Sequence, residues 1–447
     1  VWPSFRTRLA PSAAGLLGIT LALSVIATGA MAGLVPYDGV LPWRSATGLT
    51  SDFYGGVAYN PFIGIQKSLI NESDVPVFLA EITGDVPASQ VYFQLLTMET
   101  YNGGQFFADK PTVSSLESRP WEEGGHAFIG PTGRIATTVQ IERLRMDWLP
   151  QTYRPDTFSS DDDTARDVRI RQADGSLRLE GNLSYEGLRY TVESVVPRPD
   201  IAELATDEDG ELSPAFAYAA DEQEDVPQPV IAPARLEPPD VEKYLDLPED
   251  LDEGIASLAR VQTDNLTTNY EIGLALESWF HSGAFAYSTN VDPGHAANDL
   301  AAWLLYPDQA PDYRIGYCEN FATAMAVMAR TLGVPSRVVL GFTPGEPTEQ
   351  ENVVVVRDRN AHAWVELWMP TQGWVRFDPT PRNDDINPST FGLAESELGF
   401  SLTAYIDVPD PDPLNVEFSP PLRLELGEEP LPIFSGSGEA TSSGGFS

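Results

Sequence analysis

The stretch RIGYCENFATAMAVMARTLGVPSRVVLGF, residues 314–342, contains the only cysteine of the 447-residue chain. Apolar residues recur every three or four positions from Phe321 onward, and this spacing predicts a helix. Gly333 can end the helix and Pro335 prevents it from continuing, while RVVLGF has the composition of a strand. Cys318 therefore lies at or just before the first turn of a helix.

This position of Cys318 has two interpretations. The N–H groups without intrahelical partners and the positive end of the helix dipole favour a thiolate. The apolar stripe begins three residues later, so the pattern does not require the thiol to point into the core. The alternative is a buried structural thiol, because free cysteines are among the most buried residues of proteins.

The composition describes an acidic chain with enough apolar residues to fold. Its 27 basic and 66 acidic residues give a net charge of −39, and 42% of its residues are hydrophobic. Such a charge repels phosphate backbones and argues against a nucleic-acid partner. A single cysteine excludes an internal disulfide and zinc sites that need two cysteines. Because the sequence begins with Val1 rather than methionine, we expect a piece of a longer protein.

The N-terminal residues predict attachment to the cell membrane. No charged residue occurs between Arg8 and Asp38, and residues 12–35 form an apolar segment long enough for one transmembrane helix. Basic residues in front of it favour residues 1–11 as a cytoplasmic stub, with the main domains extracytoplasmic. A signal peptide ending near residues 30–32 is the alternative.

A lone thiol outside the cytoplasm is open to oxidation, so its presence favours a chemical use.

Composition divides the rest of the chain into four parts. Residues 43–199 contain β-branched and aromatic runs separated by Asn, Asp and Gly, which predicts a β-rich extracytoplasmic domain. Residues 200–249 are acidic and proline-rich and predict a linker or insertion. Helical periodicity returns in residues 250–389. Residues 390–447 are predicted to form an extended tail, with low complexity at its end.

A thiol nucleophile needs a base, and the chain has four histidines. Three of them fit structural positions: His126 in a loop, His281 at a helix end and His295 in a turn. The fourth, His362, lies in RNAHAWVELWMPTQGWVRFDPTP, residues 359–381. This segment predicts two strands joined by a tight Pro-Thr-Gln-Gly connection.

The hairpin predicts a neighbour for the histidine. His362, Trp364, Glu366 and Trp368 share one face of the first strand. Pairing of the two strands brings Asp378 near His362 or Trp364, depending on the register. A carboxylate at that distance can hold an imidazole N–H. The alternative is an ordinary hairpin with a surface histidine and aspartate.

Together, the cysteine helix and the NAHAWVELWMPTQGWVRFDPTP hairpin closely resemble the transglutaminase-like superfamily of papain-type cysteine enzymes. Within it, residues 251–381 are similar to the bacterial membrane-anchored TgpA-like transglutaminase-domain proteins. The stretches TMETYNGGQF, DWLPQTYRP and LRYTVESVVP resemble the upstream layout of that family, with lower specificity. The resemblance makes residues 250–389 the expected catalytic domain.

The resemblance implies an α+β fold. Its transglutaminase-like (papain-like) domain has the catalytic cysteine at a helix N-terminus packed on an antiparallel sheet. A β-rich domain and an N-terminal transmembrane helix precede it. This chain differs from the family pattern at Asn320, where histidine is common, in the proline-bearing LLYPDQAPDYRI before the cysteine, and in the length of its acidic stretch.

The resemblance also implies a Cys–His–Asp triad, carried over residue by residue. The cysteine of the Gly-Tyr-Cys-Glu motif matches Cys318 as nucleophile. The histidine of the Ala-His-Ala-Trp motif matches His362 as base, and the aspartate of the Asp-Pro-Thr motif matches Asp378 as the residue that orients it. The backbone N–H of the cysteine and one side-chain donor, Tyr287 or Tyr317, would hold the oxyanion.

The implied surroundings of the site are less specific. Trp364 and Trp374 are expected to wall it, with packing between sheet and helix as the alternative. The chemistry needs no metal and no organic cofactor. The expected partners are a protein or peptide substrate, with the cell envelope as its setting, and the membrane through the N-terminal helix. The sequence predicts no particular oligomeric state.

The implied reaction is acyl transfer. A thioester forms from a glutamine side chain or a peptide amide and passes to an amine or to water. The residues themselves do not separate a transferase from a cysteine protease or an amidase, and the resemblance favours the transferase. An alternative of another class is a non-enzymatic cell-surface binding or scaffold module, because folds can persist after their chemistry is lost.

Overall fold

The structure is a computed structural model. The predicted stub (residues 1–11), transmembrane segment (12–35) and tail (390–447) lie outside the residues it describes. Among the described residues, no helix combines the length and the apolar character needed to cross a membrane. The described residues are 74–109, 112–115, 132–161, 163, 168–197, 204, 241–289, 291 and 299–381.

Strands dominate the first half of the described chain, and helices and strands follow one another in the second. The first half contains β1 (Pro76–Gly84), β2 (Phe93–Met98), β3 (Thr100–Tyr101), β4 (Phe106–Phe107), β5 (Val113–Ser114), β6 (Thr132–Ile141), β7 (Trp148–Leu149), β8 (Pro155–Ser159), β9 (Val168–Arg171), β10 (Leu177–Leu179) and β11 (Arg189–Pro197). The second half contains α1 (Val241–Leu245), α2 (Glu253–Gln262), α3 (Asn269–Phe280), β12 (Ala286–Tyr287), α4 (Asp299–Leu305), β13 (Ile315–Gly316), α5 (Cys318–Thr331), β14 (Ser336–Phe342), β15 (Glu346–Pro347), β16 (Val353–Arg357), β17 (Ala361–Met369) and β18 (Gly373–Phe377).

Antiparallel pairing organises most of these strands into three sheets. A six-stranded sheet has the order β15-β16-β1-β6-β11-β8, and a four-stranded sheet has the order β5-β9-β10-β7. The four-stranded sheet β18-β17-β14-β2 carries α5. Residues alternate between buried and partly exposed along β6 and β11, as expected of strands with one covered face. By contrast, β2, β14 and β17 are buried throughout, so both of their faces are covered.

The two predicted domains, residues 43–199 and 250–389, share two sheets. Strand β2 of the first pairs with β14 of the second, and β1 pairs with β16. Without these partners β14 and β1 would each present an unpaired edge. Local composition carries no information about such long-range pairing, so the predicted boundary does not follow the sheets.

The end of the predicted linker, residues 200–249, is part of the folded structure. Helix α1 buries Tyr244 against Trp368 and Trp374, and the Asp246 carbonyl accepts a hydrogen bond from Arg330 at 2.8 Å. The acidic, proline-rich composition of the whole stretch conceals this short apolar segment.

Helix α5 begins at Cys318. The Tyr317 backbone is extended, and its N–H donates to the Asn320 side-chain oxygen at 3.1 Å. Asn320 thereby supports the helix start. A β-carbon on Gly316 would lie 2.7 Å from the Asn320 side chain, so glycine is required there for close contact. At the other end, Gly333 adopts a left-handed φ of 81°, as expected of a residue that ends a helix.

We predict that Gly341→Ala destabilises the protein more than Gly187→Ala. A β-carbon at Gly341 would lie only 2.8 Å from Trp364 and would overlap the Phe93 carbonyl oxygen, whereas one at Gly187 meets no atom within 4 Å. Gly341→Ala should lower the free energy of unfolding by about 3 kcal/mol. Gly187→Ala should cost about 1 kcal/mol, the strain of its left-handed backbone. Urea denaturation measures both, and equal losses would contradict the tight contact between β2 and β14.

Candidate active site

The hairpin β17–β18 joins His362 to Asp378. Its register pairs Val365 with Phe377, so Asp378 comes one residue after β18, beside Trp364. The carboxylate reaches diagonally to His362, and Oδ2 lies 2.7 Å from the imidazole Nε2. Since Nε2 faces a carboxylate, it carries the proton that donates to it, and Nδ1 is the ring nitrogen left to accept one.

Four groups fix the fully buried Asp378. Its backbone N–H donates to Glu277 Oε1 at 2.7 Å, and its carbonyl oxygen accepts from His281 Nε2 at 2.9 Å. Its carboxylate accepts from the Thr380 backbone N–H at 3.1 Å and from the Tyr92 hydroxyl at 3.2 Å. His281 therefore holds the backbone of the acid, in addition to ending α3 as predicted. Glu277 and Tyr92 were not predicted, because no short motif links them to the hairpin.

The thiol of Cys318 lies against the strand that carries the histidine. The backbones of Ala363, the residue after His362, and of Glu319 interact with the thiol and favour its ionised form. The side chain is only 1% exposed. This packing unites the helix start and the hairpin in one site.

Burial sets the protonation state of this thiol. The pKa of Cys318 is raised to about 12, chiefly by burial and also by the charges of Glu319 and Asp378, while the backbones of Ala363 and Glu319 oppose the shift. The position of Cys318 at a helix start predicts a thiolate, and burial acts against it. Desolvation destabilises the thiolate more than the helix dipole stabilises it. The resting group is therefore a thiol, and a base must take its proton during a reaction.

Of the two tyrosines predicted as oxyanion donors, Tyr317 has a different partner. Its hydroxyl donates to the buried carboxylate of Glu319 at 2.6 Å. Tyr287 is 44% exposed, on a strand that pairs in parallel with β13 and sets it beside Gly316. The structure therefore places its backbone close to the cysteine, while its part in oxyanion binding stays a prediction.

The two predicted wall residues lie in different places. Trp364 stacks beside the His362 ring, with centroids 6.3 Å apart and an interplanar angle of 23°. Trp374 instead pairs with Trp368 and packs against Tyr244. Since β17 rises about 3.3 Å per residue, this cluster lies about 20 Å along the strand from His362. The placement of Trp374 at the site was wrong, and the alternative, packing between elements, is what the structure shows.

Glu366, which shares a strand face with His362, has a structural partner. Glu366 holds the buried Arg337 through contacts of 2.7 and 2.6 Å, and Arg337 stacks over Trp374. His126 and His295 lie outside the described residues.

Comparison with known proteins identifies two domains in the chain. The family model of the transglutaminase-like superfamily matches residues 256–379, and the model of the TgpA N-terminal domain matches residues 2–201. The chain therefore contains a transglutaminase-like domain over residues 256–379, which include Cys318, His362 and Asp378. More particularly, it combines a TgpA N-terminal domain with a transglutaminase-like core domain, as predicted.

Individual relatives cover short segments. A Bacillus subtilis protein named uncharacterized protein YebA is 35% identical over 161 residues, which are 35% of this chain and 21% of the relative. A protein-glutamine gamma-glutamyltransferase of Pseudomonas aeruginosa is 40% identical over 106 residues, which are 24% of this chain and 15% of that protein. The matched segments thus span about a fifth of these relatives or less.

One solved structure is that of the periplasmic domain of TgpA from Pseudomonas aeruginosa bound to ethylmercury. It is 24% identical in sequence and superposes with a TM-score of 0.49. The match covers 77% of this chain and 99% of that one.

We predict that Glu319→Gln stabilises the protein at pH 8 but not at pH 4.5. Burial raises the pKa of Glu319 from 4.5 to about 7. As the pH rises between these values the unfolded chain releases this proton and the folded protein keeps it, so the wild type loses stability. Glutamine removes that loss and can still accept from Tyr317. Urea denaturation should show a gain that grows to about 3 kcal/mol by pH 8.

The matched control is Glu271→Gln, which also removes a buried carboxylate near a helix start. Glu271 accepts from the Thr268 backbone N–H at 3.1 Å in the capping box of α3. Its replacement should destabilise the protein, because the capping box of α3 loses its charged acceptor. A gain for Glu319→Gln that is the same at every pH would contradict the assignment.

Proposed function

We propose that the chain is an extracytoplasmic cysteine acyltransferase of the transglutaminase type. The observation that carries this proposal is the 2.7 Å contact between His362 Nε2 and Asp378 Oδ2 beside the thiol of α5. The transglutaminase-like match over residues 256–379 and the name of a glutamyltransferase relative support it. Asp378 fixes the tautomer of His362, which leaves Nδ1 as the base for Cys318.

The first half of the proposed reaction forms a thioester. As the Cys318 sulfur attacks the carbonyl carbon of a glutamine side chain, its proton passes to His362 Nδ1. The negative charge develops on the former carbonyl oxygen, and the Cys318 backbone N–H, which has no intrahelical acceptor, stabilises it. The carbon–nitrogen bond then breaks, and the imidazolium gives its proton to the departing ammonia.

The second half passes the acyl group on. A primary amine attacks the thioester carbon and gives a proton to His362. The carbon–sulfur bond breaks, and the sulfur regains its proton from the imidazolium. Water in place of the amine gives deamidation, and a peptide amide in the first half gives proteolysis, so protease or amidase activity uses the same steps.

The proposed location follows from the start of the chain. Residues 12–35 are apolar and uncharged, and the TgpA N-terminal domain match begins at residue 2. We place the folded domains outside the cytoplasm, anchored to the cell membrane by this segment. The proposed substrates are proteins or peptides of the cell envelope. No cofactor takes part in the steps above.

The second candidate is a non-enzymatic scaffold, and one observation favours it. Cys318 is almost completely buried, so a substrate must open a path to the sulfur. A scaffold would need no such path. Reactivity of the thiol separates the two candidates.

We predict that Cys318→Ala folds but loses acyl transfer. Incorporation of a fluorescent primary amine into a glutamine-containing peptide should fall at least about 1,000-fold, because no other thiol is present to form the thioester. Urea denaturation should show nearly unchanged stability. Parallel assays of ammonia release and of peptide cleavage separate transferase, amidase and protease. Amine incorporation that survives this change would refute the assignment.

We predict that His362→Ala slows alkylation of Cys318 by iodoacetamide about 100-fold at pH 7, because the buried thiol loses its base. Intact-mass spectrometry reports the reaction without ambiguity, since the chain has a single cysteine. Cys318→Ala supplies the zero-labelling control. Equal labelling of wild type and His362→Ala, or none of either, would favour the scaffold.

A further inference from the structure

We propose that Tyr92, from the upstream half of the chain, is a positioning residue for the His362–Asp378 pair. The active site would then be assembled from both halves. This inference rests on the proposed function and names a component of the same site that the superfamily's core motifs do not contain, since the core match begins at residue 256.

The hydrogen bonding of Asp378 carries the inference. Tyr92 is 6% exposed, and its hydroxyl donates at 3.2 Å to Asp378 Oδ2. The same oxygen accepts from His362 at 2.7 Å. Two donors thus share one carboxylate oxygen, and a change at the tyrosine acts directly on the atom that holds the imidazole.

The pairing of β2 with β14 puts Tyr92 there. Gly341 pairs with His362 on one side and with Gln94 on the other, and the β2 register shifts between Leu340 and Gly341. Because a β-carbon at Gly341 would collide with the Phe93 carbonyl, glycine lets β2 approach closely at this level. Tyr92, the residue before Phe93, therefore lies over the same face of the sheet as the His362 side chain.

Two contacts hold the Tyr92 ring in place. Trp364 meets it edge-on at 5.3 Å between centroids, and the Arg376 guanidinium lies 3.8 Å from its centroid. The Arg376 charge also interacts favourably with Asp378 and Glu277. The Tyr92 ring therefore lies between Trp364, which stacks beside His362, and Arg376, whose charge faces Asp378. In this position the ring keeps water from the Asp378 carboxylate.

The shared oxygen gives the tyrosine a chemical effect as well as a structural one. A hydroxyl that donates to the carboxylate disperses its charge, so the carboxylate stabilises a protonated imidazole less. Loss of the hydroxyl should therefore strengthen the interaction of Asp378 with a protonated imidazole and move the acid limb of the pH–activity profile to higher pH. The groups facing this pair are Tyr92, Arg376, Glu277, His281 and Cys318.

The test compares Tyr92→Phe with Tyr190→Phe. Tyr190 is a matched control: its buried hydroxyl also makes one hydrogen bond, to the Pro150 carbonyl at 2.8 Å, on β11. Tyr92→Phe should lower kcat/KM for amine incorporation about tenfold, mainly through kcat. In the pH profile of kcat/KM for amine incorporation, the midpoint of the acid limb should rise by roughly half a pH unit. Tyr190→Phe should lower the free energy of unfolding but change neither kcat/KM nor the midpoint of the acid limb.

A second readout needs no turnover. The pH dependence of Cys318 alkylation should shift in the same direction in Tyr92→Phe, and the shift should vanish when both proteins also carry Asp378→Asn. Should Tyr92→Phe fail to fold, 3-fluorotyrosine at position 92 keeps the ring and strengthens the donor. It should move the midpoint to lower pH.

The outcomes separate this inference from the proposed function. If the wild type transfers no acyl group but the alkylation profile shifts as described, the proposed function fails and the role of Tyr92 stands. If the wild type turns over and Tyr92→Phe has the pH profile of the Tyr190→Phe control, the role of Tyr92 is overturned. A shift that persists with Asp378→Asn also overturns it, because the effect would not pass through the carboxylate.

Discussion

The close approach of β2 to β14 at Gly341 is the contact on which the rest of the structure depends. It joins the upstream half of the chain to the sheet that carries His362. A second junction, between β1 and β16, lies in the six-stranded sheet. Because each half lends a strand to a sheet completed by the other, backbone pairing joins the two predicted domains.

Removal of water governs the chemistry of the site. At the start of α5 the helix dipole favours negative charge, but burial outweighs it and raises the pKa of both Cys318 and Glu319. Asp378 is also buried, and it is served by hydrogen bonds from His362, Tyr92 and the Thr380 backbone. The acid therefore has the donors that a buried carboxylate needs, whereas the thiol, under the proposed function, needs a base when it attacks.

How far sequence predicts this structure depends on the range of the interactions. The helix start at Cys318 and the hairpin that brings Asp378 to His362 follow from local periodicity and turn chemistry, and the structure has both. The prediction that Trp374 lines the site was wrong, because strand alternation predicts which face of a strand a residue occupies but not how far along the strand it lies from His362. Tyr92 is 286 residues from the aspartate it contacts, and no local pattern reports such a pairing.

The burial that raises the pKa of the thiol also bears on the fate of a thioester. An acyl group on Cys318 would lie where bulk water has little access, since the residue is 1% exposed. Exclusion of water protects reactive intermediates from hydrolysis, so an amine that can reach the carbon competes well against solvent. Under the proposed function, substrate binding must therefore open a path for the amine to Cys318 while bulk water stays excluded. On this reasoning the base cannot be replaced by a preformed thiolate, because the environment that protects the intermediate is the one that keeps the resting thiol protonated.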